Sequence, residues 1–286
     1  MLNINGMHWT QKDGNPPRML RAEHPPVESG VSLLQARFES AAHLSATSSQ
    51  HLIFFQMSPR LRMQCRMAGR TLRHEVDAGS LAICPAGVDC SAETDCSIDV
   101  LVIAIAPEKL ALAAAEDSAL DARLNERMSG YDGELFGTAR LLASESANGY
   151  PNGAGLWNEA TGRLVNHVVS GHSSIPDAPV RGRLSRQVLQ GIRDHIFDHL
   201  AEPIEVGDLA ALAGRSAFHF SRVFARSVGM TPHRYVVHLR LQAALRLIRD
   251  GQMSMAEIAA DTGFSDQSHL SRWIRRVHGV APSELT

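Results

Sequence analysis

The spacing of apolar residues changes along this chain. From Val31 to Ala106 they come in short runs between turn residues, and beyond about residue 183 they recur every three and four positions almost to the end. The first pattern predicts strands: HLIFFQM over 51–57, TLRHEV with alternating character over 71–76, SLAICP over 80–85 behind Ala78-Gly79, and IDVLVIAI over 98–105. After Pro107 the pattern turns helical, in LALAAAE (110–116), in ELFGTARLLASES (134–146) and from Leu156 to Val169, with glycine breaks at 130–133 and 149–155. Leu156, Leu164, Val165, Val168 and Val169 supply an apolar face that suits either a dimer contact or a core of its own. Residues 1–28, with Pro16, Pro17, Pro25 and Pro26, read as a loose N-terminal arm, and GHSSIPDAPVRG over 171–182 reads as a linker. The pattern therefore predicts several domains: a mainly-β domain over 29–107, a helical segment over 108–170 available for dimerisation, and an all-α domain over 183–286.

Within the all-α part a degenerate repeat stands out. LAALAGRSAFHFSRVFARSVGMTP, from Leu209, returns as IAADTGFSDQSHLSRWIRRVHGVAP, from Ile258. Each copy reads as a short helix, a glycine turn and a second helix, the arrangement of a helix-turn-helix that presents one helix to the DNA major groove. Phe220, Val223 and Phe224 in the first copy, and Leu270, Trp273 and Ile274 in the second, form matching apolar stripes. The opposite stripes carry Phe218, Ser221, Arg222, Ala225 and Arg226, matched by Ser268, Ser271, Arg272, Arg275 and Arg276, with no acidic residue in either. Ser216 and Ser265 are the predicted N-caps of the two second helices, Ser254 to Glu257 forms a capping box, and Glu205 is a poor cap at the equivalent place in the first copy. Thr231-Pro232 opens a connecting helix that runs to Gly251. At ~1.5 Å per residue that helix is a rod of roughly 27 Å, long enough to hold two groove-entering helices near one DNA turn, about 34 Å, apart. One such unit fits an ordinary all-α domain with a solvated arginine face equally well; two copies with matched stripes favour DNA.

Length and composition agree with a globular chain of several domains: 286 residues, 44% of them hydrophobic. The net charge of -2 excludes a protein that coats nucleic acid indiscriminately, but it conceals an asymmetry. Residues 181–286 hold 14 Arg, no Lys and 10 acidic residues, a charge of +4, while the rest of the chain carries -6. The basic part is the part with the repeat. MLNINGMHWTQKDG lacks the charged start and apolar core of an export signal, and the strongest apolar run, Val100 to Ala106, is closed by Pro107-Glu108-Lys109, so no membrane span is expected. Four cysteines without a CxxC pair fit a reducing compartment, which makes the cytoplasm the expected location.

From about Leu184 the chain resembles the DNA-binding domain of the AraC/XylS family of bacterial transcription regulators. IEVGDLAALAG, the RLQAALRLI helix from Arg240, MAEIAADTGFSDQSHLSRWIRR and GVAPSEL stand in family order and spacing over about a third of the chain. The resemblance implies two helix-turn-helix units joined by a linker helix. It implies base-edge contacts from Phe218, Ser221 and Arg222 in the first unit, and from Gln267, Ser268, His269 and Arg272 in the second. Arg reaches guanine O6 and N7 with two prongs, Gln reads adenine, and Phe packs on a thymine methyl. Arg226, Arg275 and Arg276 lie one or two turns onward and suit phosphates. The sequence ends at Thr286, before the aromatic and basic helix that usually follows the family's final proline. The partners implied are double-stranded promoter DNA, RNA polymerase and a second copy of the chain, with activation the commoner mode.

The family usually adds an N-terminal sensing or dimerisation domain, often a cupin-like barrel, and the strand series with the Pro85-Ala-Gly87 turn resembles one. At the position where a cupin carries a metal-binding His stands Cys90, and no His-x-His motif precedes it. His43, His51 and His74 are scattered, so no metal and no cofactor are expected, and the rival reading of a metal-dependent cupin enzyme loses its chemistry. A small organic effector or dimerisation alone is the expected input. Cys84, Cys90 and Cys96, six apart, admit a thiol-based sensor or, more simply, small hydrophobes, since no Lys or Arg lies between Arg73 and Lys109 to activate a thiolate.

Overall fold

The computed structural model describes residues 2–4, 6–23, 29–116, 122–174, 182–278 and 281–284. They fall into two compact units, Met1–Leu110 with Leu124–Ser174, and Ala111–Arg123 with Ile175–Thr286. The first is β-rich. Its strands are β1 (Leu2–Ile4), β2 (Met7–Gln11), β3 (Arg18–Glu23), β4 (Val31–Phe38), β5 (Ala42–Thr47), β6 (His51–Gln56), β7 (Leu61–Met67), β8 (Arg70–Val76), β9 (Leu81–Cys84), β10 (Asp89–Thr94) and β11 (Ile98–Ile105). They form a six-stranded sheet in the order β1-β2-β5-β10-β7-β8 and a five-stranded sheet in the order β3-β4-β11-β6-β9. The four predicted strands are β6, β8, β9 and β11.

Burial explains the sequence of β11. It lies between β4 and β6, in register Val102 to Leu34 and Val102 to Phe54. Val100 and Val102 join the core between the sheets, while Leu101 and Ile103, on the other face, are also fully buried. A strand covered on both faces loses the apolar/polar alternation and becomes a continuous apolar run. Part of that second cover comes from α2 (Gly133–Ala147) in the same unit, which brings Phe136 to 5.7 Å from Phe55, ring to ring.

The expected loose arm is corrected as far as Glu23 by β1 to β3, which extend both sheets, and residues 24–28 lie outside the described residues. Met7, Trp9 and Gln11 alternate inward, and Trp9 stacks on Phe38 at 5.4 Å. Buried Gln11 donates to the carbonyls of Asn15 (3.2 Å) and Pro16 (3.0 Å) and accepts from the Glu39 amide at 2.6 Å. One side chain thus satisfies the proline-rich turn that made the segment look unstructured.

A further helix of this unit is α3 (Gly153–His172), while α1 (Pro107–Glu116) starts in it and is assigned from Ala111 on to the second unit. The face offered for dimerisation is internal: Leu164, Val165, Val168 and Val169 are buried, as is Trp157, whose Nε1 donates to Ser29 Oγ at 3.0 Å. Of the two readings of this face, burial favours a private core. Of the expected linker, residues 171 and 172 still belong to α3, and 175–181 lie outside the described residues.

The second unit is helical: α4 (Arg186–Asp198), α5 (Val206–Leu212), α6 (Ala217–Val228), α7 (Pro232–Asp250), α8 (Met255–Asp261) and α9 (Gln267–His278). It has two cores. Leu189, Ile192 and Ile196 of α4 pack with Leu209, Phe220, Val223 and Phe224 in one; Ile258, Phe264, Leu270 and Ile274 pack in the other. Helix α7 serves both, through Tyr235, Val236 and Leu239 on one side and Leu241, Ala244, Leu245 and Ile248 on the other. Its 19 residues make a rod of ~28 Å. Among the described residues no helix is long and apolar enough to cross a membrane.

Candidate nucleic-acid interface and inner cavity

Local chemistry holds each exposed helix in place. Helix α6 starts at Ser216, whose Oγ accepts from the His219 amide at 3.5 Å, and stops at Gly229 in the left-handed conformation, φ 79°. At α9 the structure corrects the expected cap. Asp266 Oδ1 accepts from the His269 amide at 2.7 Å, and Ser265, one residue earlier, bonds instead to Asp266 and to the His269 ring. A carboxylate is the stronger acceptor at a helix N-terminus. The Asp266 carboxyl lies below its usual range, chiefly through this backbone bond. The capping box of Ser254 and Glu257 forms as read. Before α5 the weak cap Glu205 is helped from the other side, as Asp208 Oδ2 accepts from the Glu205 amide at 3.2 Å.

With the apolar stripes buried, the opposite stripes face outward. Phe218 is 76% exposed, a large cost for an aromatic ring in water, and the Arg222 guanidinium lies 6.0 Å from its centroid. Ser221 turns its hydroxyl back to the Ala217 carbonyl at 2.9 Å and keeps its lone pairs outward. Arg226 is exposed one turn on. On α9, Gln267, Ser268, Arg272, Arg275 and Arg276 are exposed; Arg272 Nε donates to the Ser268 carbonyl at 3.4 Å and Arg276 lies 5.3 Å from the Trp273 ring. His269 differs. Trp273 Nε1 donates to its Nε2 at 3.0 Å, which leaves Nδ1 as the protonated nitrogen facing Ser265 Oγ at 3.1 Å. Its ring buttresses the stripe, and a base contact from either nitrogen requires breaking one of these bonds. Arg215 and His219, paired at 2.7 Å beside the α6 stripe, are exposed polar groups that the repeat alignment passes over, because the second copy has Phe264 and His269 near these places without the arginine.

The β-rich unit holds a half-open cavity of about 80 Å³ between its sheets. Phe38, Leu44, Phe54, Phe55, Leu81 and Val100 make much of its wall. Two side chains there carry polar atoms without a partner. Gln56, 5% exposed, donates Nε2 to the Pro59 carbonyl at 3.0 Å, which turns its unpaired Oε1 the other way. Both ring nitrogens of His74 are buried without a partner, and burial lowers its pKa, so the ring is neutral near pH 7.

The three scattered histidines stay apart. His43 pairs with Glu93, His51 Nδ1 accepts from the Ala86 amide at 3.0 Å, and His74 lines the cavity. Cys84 and Cys90 are buried, with Cys84 Sγ donating to the Val88 carbonyl at 3.2 Å, whereas Cys96 is exposed. The neighbouring Cys90 thiol and burial push Cys84 above its usual range, while the contact with Cys84 outweighs burial and lowers Cys90.

One group that sequence spacing did not reveal has metal-ligand composition: Asp132, His167 and His172, their ligand atoms within 4.8 Å of one another. Asp132 Oδ1 caps α2 through the Leu135 amide at 2.9 Å, and Oδ2 meets His167 Nε2 at 2.8 Å and His172 Nε2 at 2.9 Å. Arg127 Nη1 lies 3.3 Å from His172 Nδ1. Arginine only donates, so Nδ1 accepts and Nε2 carries the proton that a metal would need removed. The group is a hydrogen-bonded helix clamp.

Comparison with known proteins supplies the context. A helix-turn-helix domain family matches residues 209–286. The probable transcriptional regulator LumQ of Photobacterium leiognathi is 36% identical over 92 residues, 32% of this chain and 37% of that protein. The HTH-type transcriptional regulator GbdR of Pseudomonas aeruginosa is 25% identical over 249 residues, 84% of this chain and 62% of that protein. The matched part spans about a third of the length of the first such relatives, and these relatives are regulators rather than enzymes. A solved transcriptional regulator with an AraC-type DNA-binding domain, from Chromobacterium violaceum, is 27% identical over 35% of this chain and 89% of that one, with a TM-score of 0.33.

Proposed function

We propose that the C-terminal helices of this chain, which match a helix-turn-helix domain family over 209–286, form an AraC-type DNA-binding domain, and that the protein reads promoter DNA sequence-specifically with α6 and α9, each in its own major groove. The observation that carries this reading is the paired construction. Each helix buries its apolar stripe in a separate core and leaves an acid-free stripe of arginine and small polar residues outside. Phe218, Ser221 and Arg222 then contact bases in one groove, and Gln267, Ser268 and Arg272 in the next, with His269 contributing through its ring edge. Arg226, Arg275 and Arg276 hold phosphates. The α7 rod, ~28 Å long, is of the order of the spacing of successive grooves, about 34 Å.

The two-sheet unit we read as a cupin-like sensing domain, with the apolar cavity as the seat of a small uncharged effector that hydrogen-bonds Gln56 Oε1 and His74. Activation through RNA polymerase, assembly as a homodimer and a cytoplasmic location complete the proposal. The test is a DNA site selected by the full chain from random duplexes. Arg272→Ala should weaken it by ~1–3 kcal/mol and relax preference at one base position, while Arg275→Ala weakens all sequences alike and lowers the salt slope by about 1. Intact preference in Arg272→Ala overturns the assignment of the α9 reading face.

A further inference from the structure

Helix α7 separates the two cores, yet a helix contact alone leaves two small bundles free to rock about it. Near its middle stands Arg240, whose guanidinium bonds to turns on both sides of the helix. Its Nη2 donates to the Glu202 carbonyl at 2.6 Å, in the turn that leads from α4 into α5. Its Nη1 donates to the Gly263 carbonyl at 2.9 Å, in the turn that leads from α8 into α9. Gly263 seals the same junction. It adopts a left-handed φ of +72°, and a Cβ added there would overlap both the Leu200 carbonyl oxygen and the Arg240 guanidinium. Leu200 packs on the first core, and Phe264, next to Gly263, belongs to the second. The guanidinium is partly desolvated, and its Nε is buried without a partner.

We propose that Arg240 is a positioning residue for DNA recognition: its planar fork locks the turn before α5 to the turn before α9 and so sets the spacing and phase of the two reading helices. This rests on the reading that α6 and α9 enter successive grooves. A guanidinium suits the task because its two terminal nitrogens diverge in a fixed plane and reach two carbonyls at once, whereas a lysine ammonium is a single point donor at the end of a flexible stem. Backbone carbonyls as acceptors make the lock independent of side chains in either turn. Sequence alone places Arg240 on a helix without indicating that two distant turns meet there.

The experiment uses the full chain and a duplex selected by it from random DNA, together with the same duplex carrying about five extra base pairs, half a turn, between the two contacted segments. Wild-type protein should bind the lengthened duplex at least tenfold more weakly. Arg240→Met, which keeps the stem and removes the fork, and Arg240→Lys, which keeps the charge, should both reduce that penalty below threefold while remaining helical by circular dichroism. Folded variants that retain the tenfold penalty overturn the proposal. So does unfolding of both variants, which would make Arg240 part of the fold rather than a spacer. Wild-type protein that binds but ignores the insertion overturns the two-groove reading as well, and this distinguishes the two failures.

Discussion

Burial decides the protonation of His51, and the consequence is measurable. Burial lowers its pKa to about 4, against a smaller opposing pull from Glu108, and its Nδ1 accepts from the Ala86 amide, which only an unprotonated nitrogen does. Above the unfolded value of ~6.5 neither state binds a proton at this site, so its contribution is complete. As pH falls from there towards about 4, the unfolded chain takes a proton that the folded chain refuses, and stability declines by a total on the order of 3 kcal/mol. Urea midpoints at pH 7.5 and pH 5 should therefore separate in the wild type by about 2 kcal/mol more than in His51→Gln; equal separation would mean the ring is solvated. The thiols make a second residue-scale test. Burial holds Cys65 up at about 11, the Cys90 thiol with burial raises Cys84, and Cys96 is the exposed thiol. One fast-reacting thiol is expected with an aromatic disulfide reagent, absent in Cys96→Ser, and a second fast thiol would mean that the Cys84–Cys90 pair opens.

At the scale of elements, caps and clamps determine where helices begin. Asp132 combines both roles on α2 and α3. Burial pushes its carboxyl up, but the Leu135 amide and the two imidazoles outweigh this and hold it well below the usual carboxylate range. Asp132→Ala removes the cap and the shared acceptor, and should destabilise the β-rich unit by ~2–3 kcal/mol, read as a lower melting midpoint. A loss under about 0.5 kcal/mol would show that water replaces the clamp. The helix starts at Ser216, Thr231 and Ser254 were legible because a hydroxyl directly before a periodic apolar run has one obvious use. The start of α9 was not, because Ser265-Asp266 offers two adjacent caps and only the backbone path selects the carboxylate. Strands β1 to β3 were illegible for a related reason: the two inward residues Met7 and Trp9 signal a strand only once a partner strand, β5, lies alongside to pair with β2.

At the scale of the whole molecule the chain is two units with separate cores, one of β-sheets and one of helices. Separate cores can melt separately. Calorimetry should resolve two transitions, with the selected DNA duplex raising the midpoint of the helical one by mass action and leaving the other in place. A single transition shifted as a whole by DNA would mean that the units unfold together. The exposed stripes of α6 and α9 were determined by sequence alone, since a 3.6-residue period fixes which side chains share a stripe once the helix exists, and the places of Arg222 and Arg272 on them follow from counting. The strands β6, β8, β9 and β11 were similarly readable from their local runs. Tertiary structure alone decided what depends on distant residues meeting. It turned the α3 face inward, formed the cavity with Gln56 Oε1 and His74 unpaired, brought Asp132 to His167 and His172, and joined Arg240 to Glu202 and Gly263. Periodicity records which way a side chain points from its own backbone. What it meets there depends on how the elements pack.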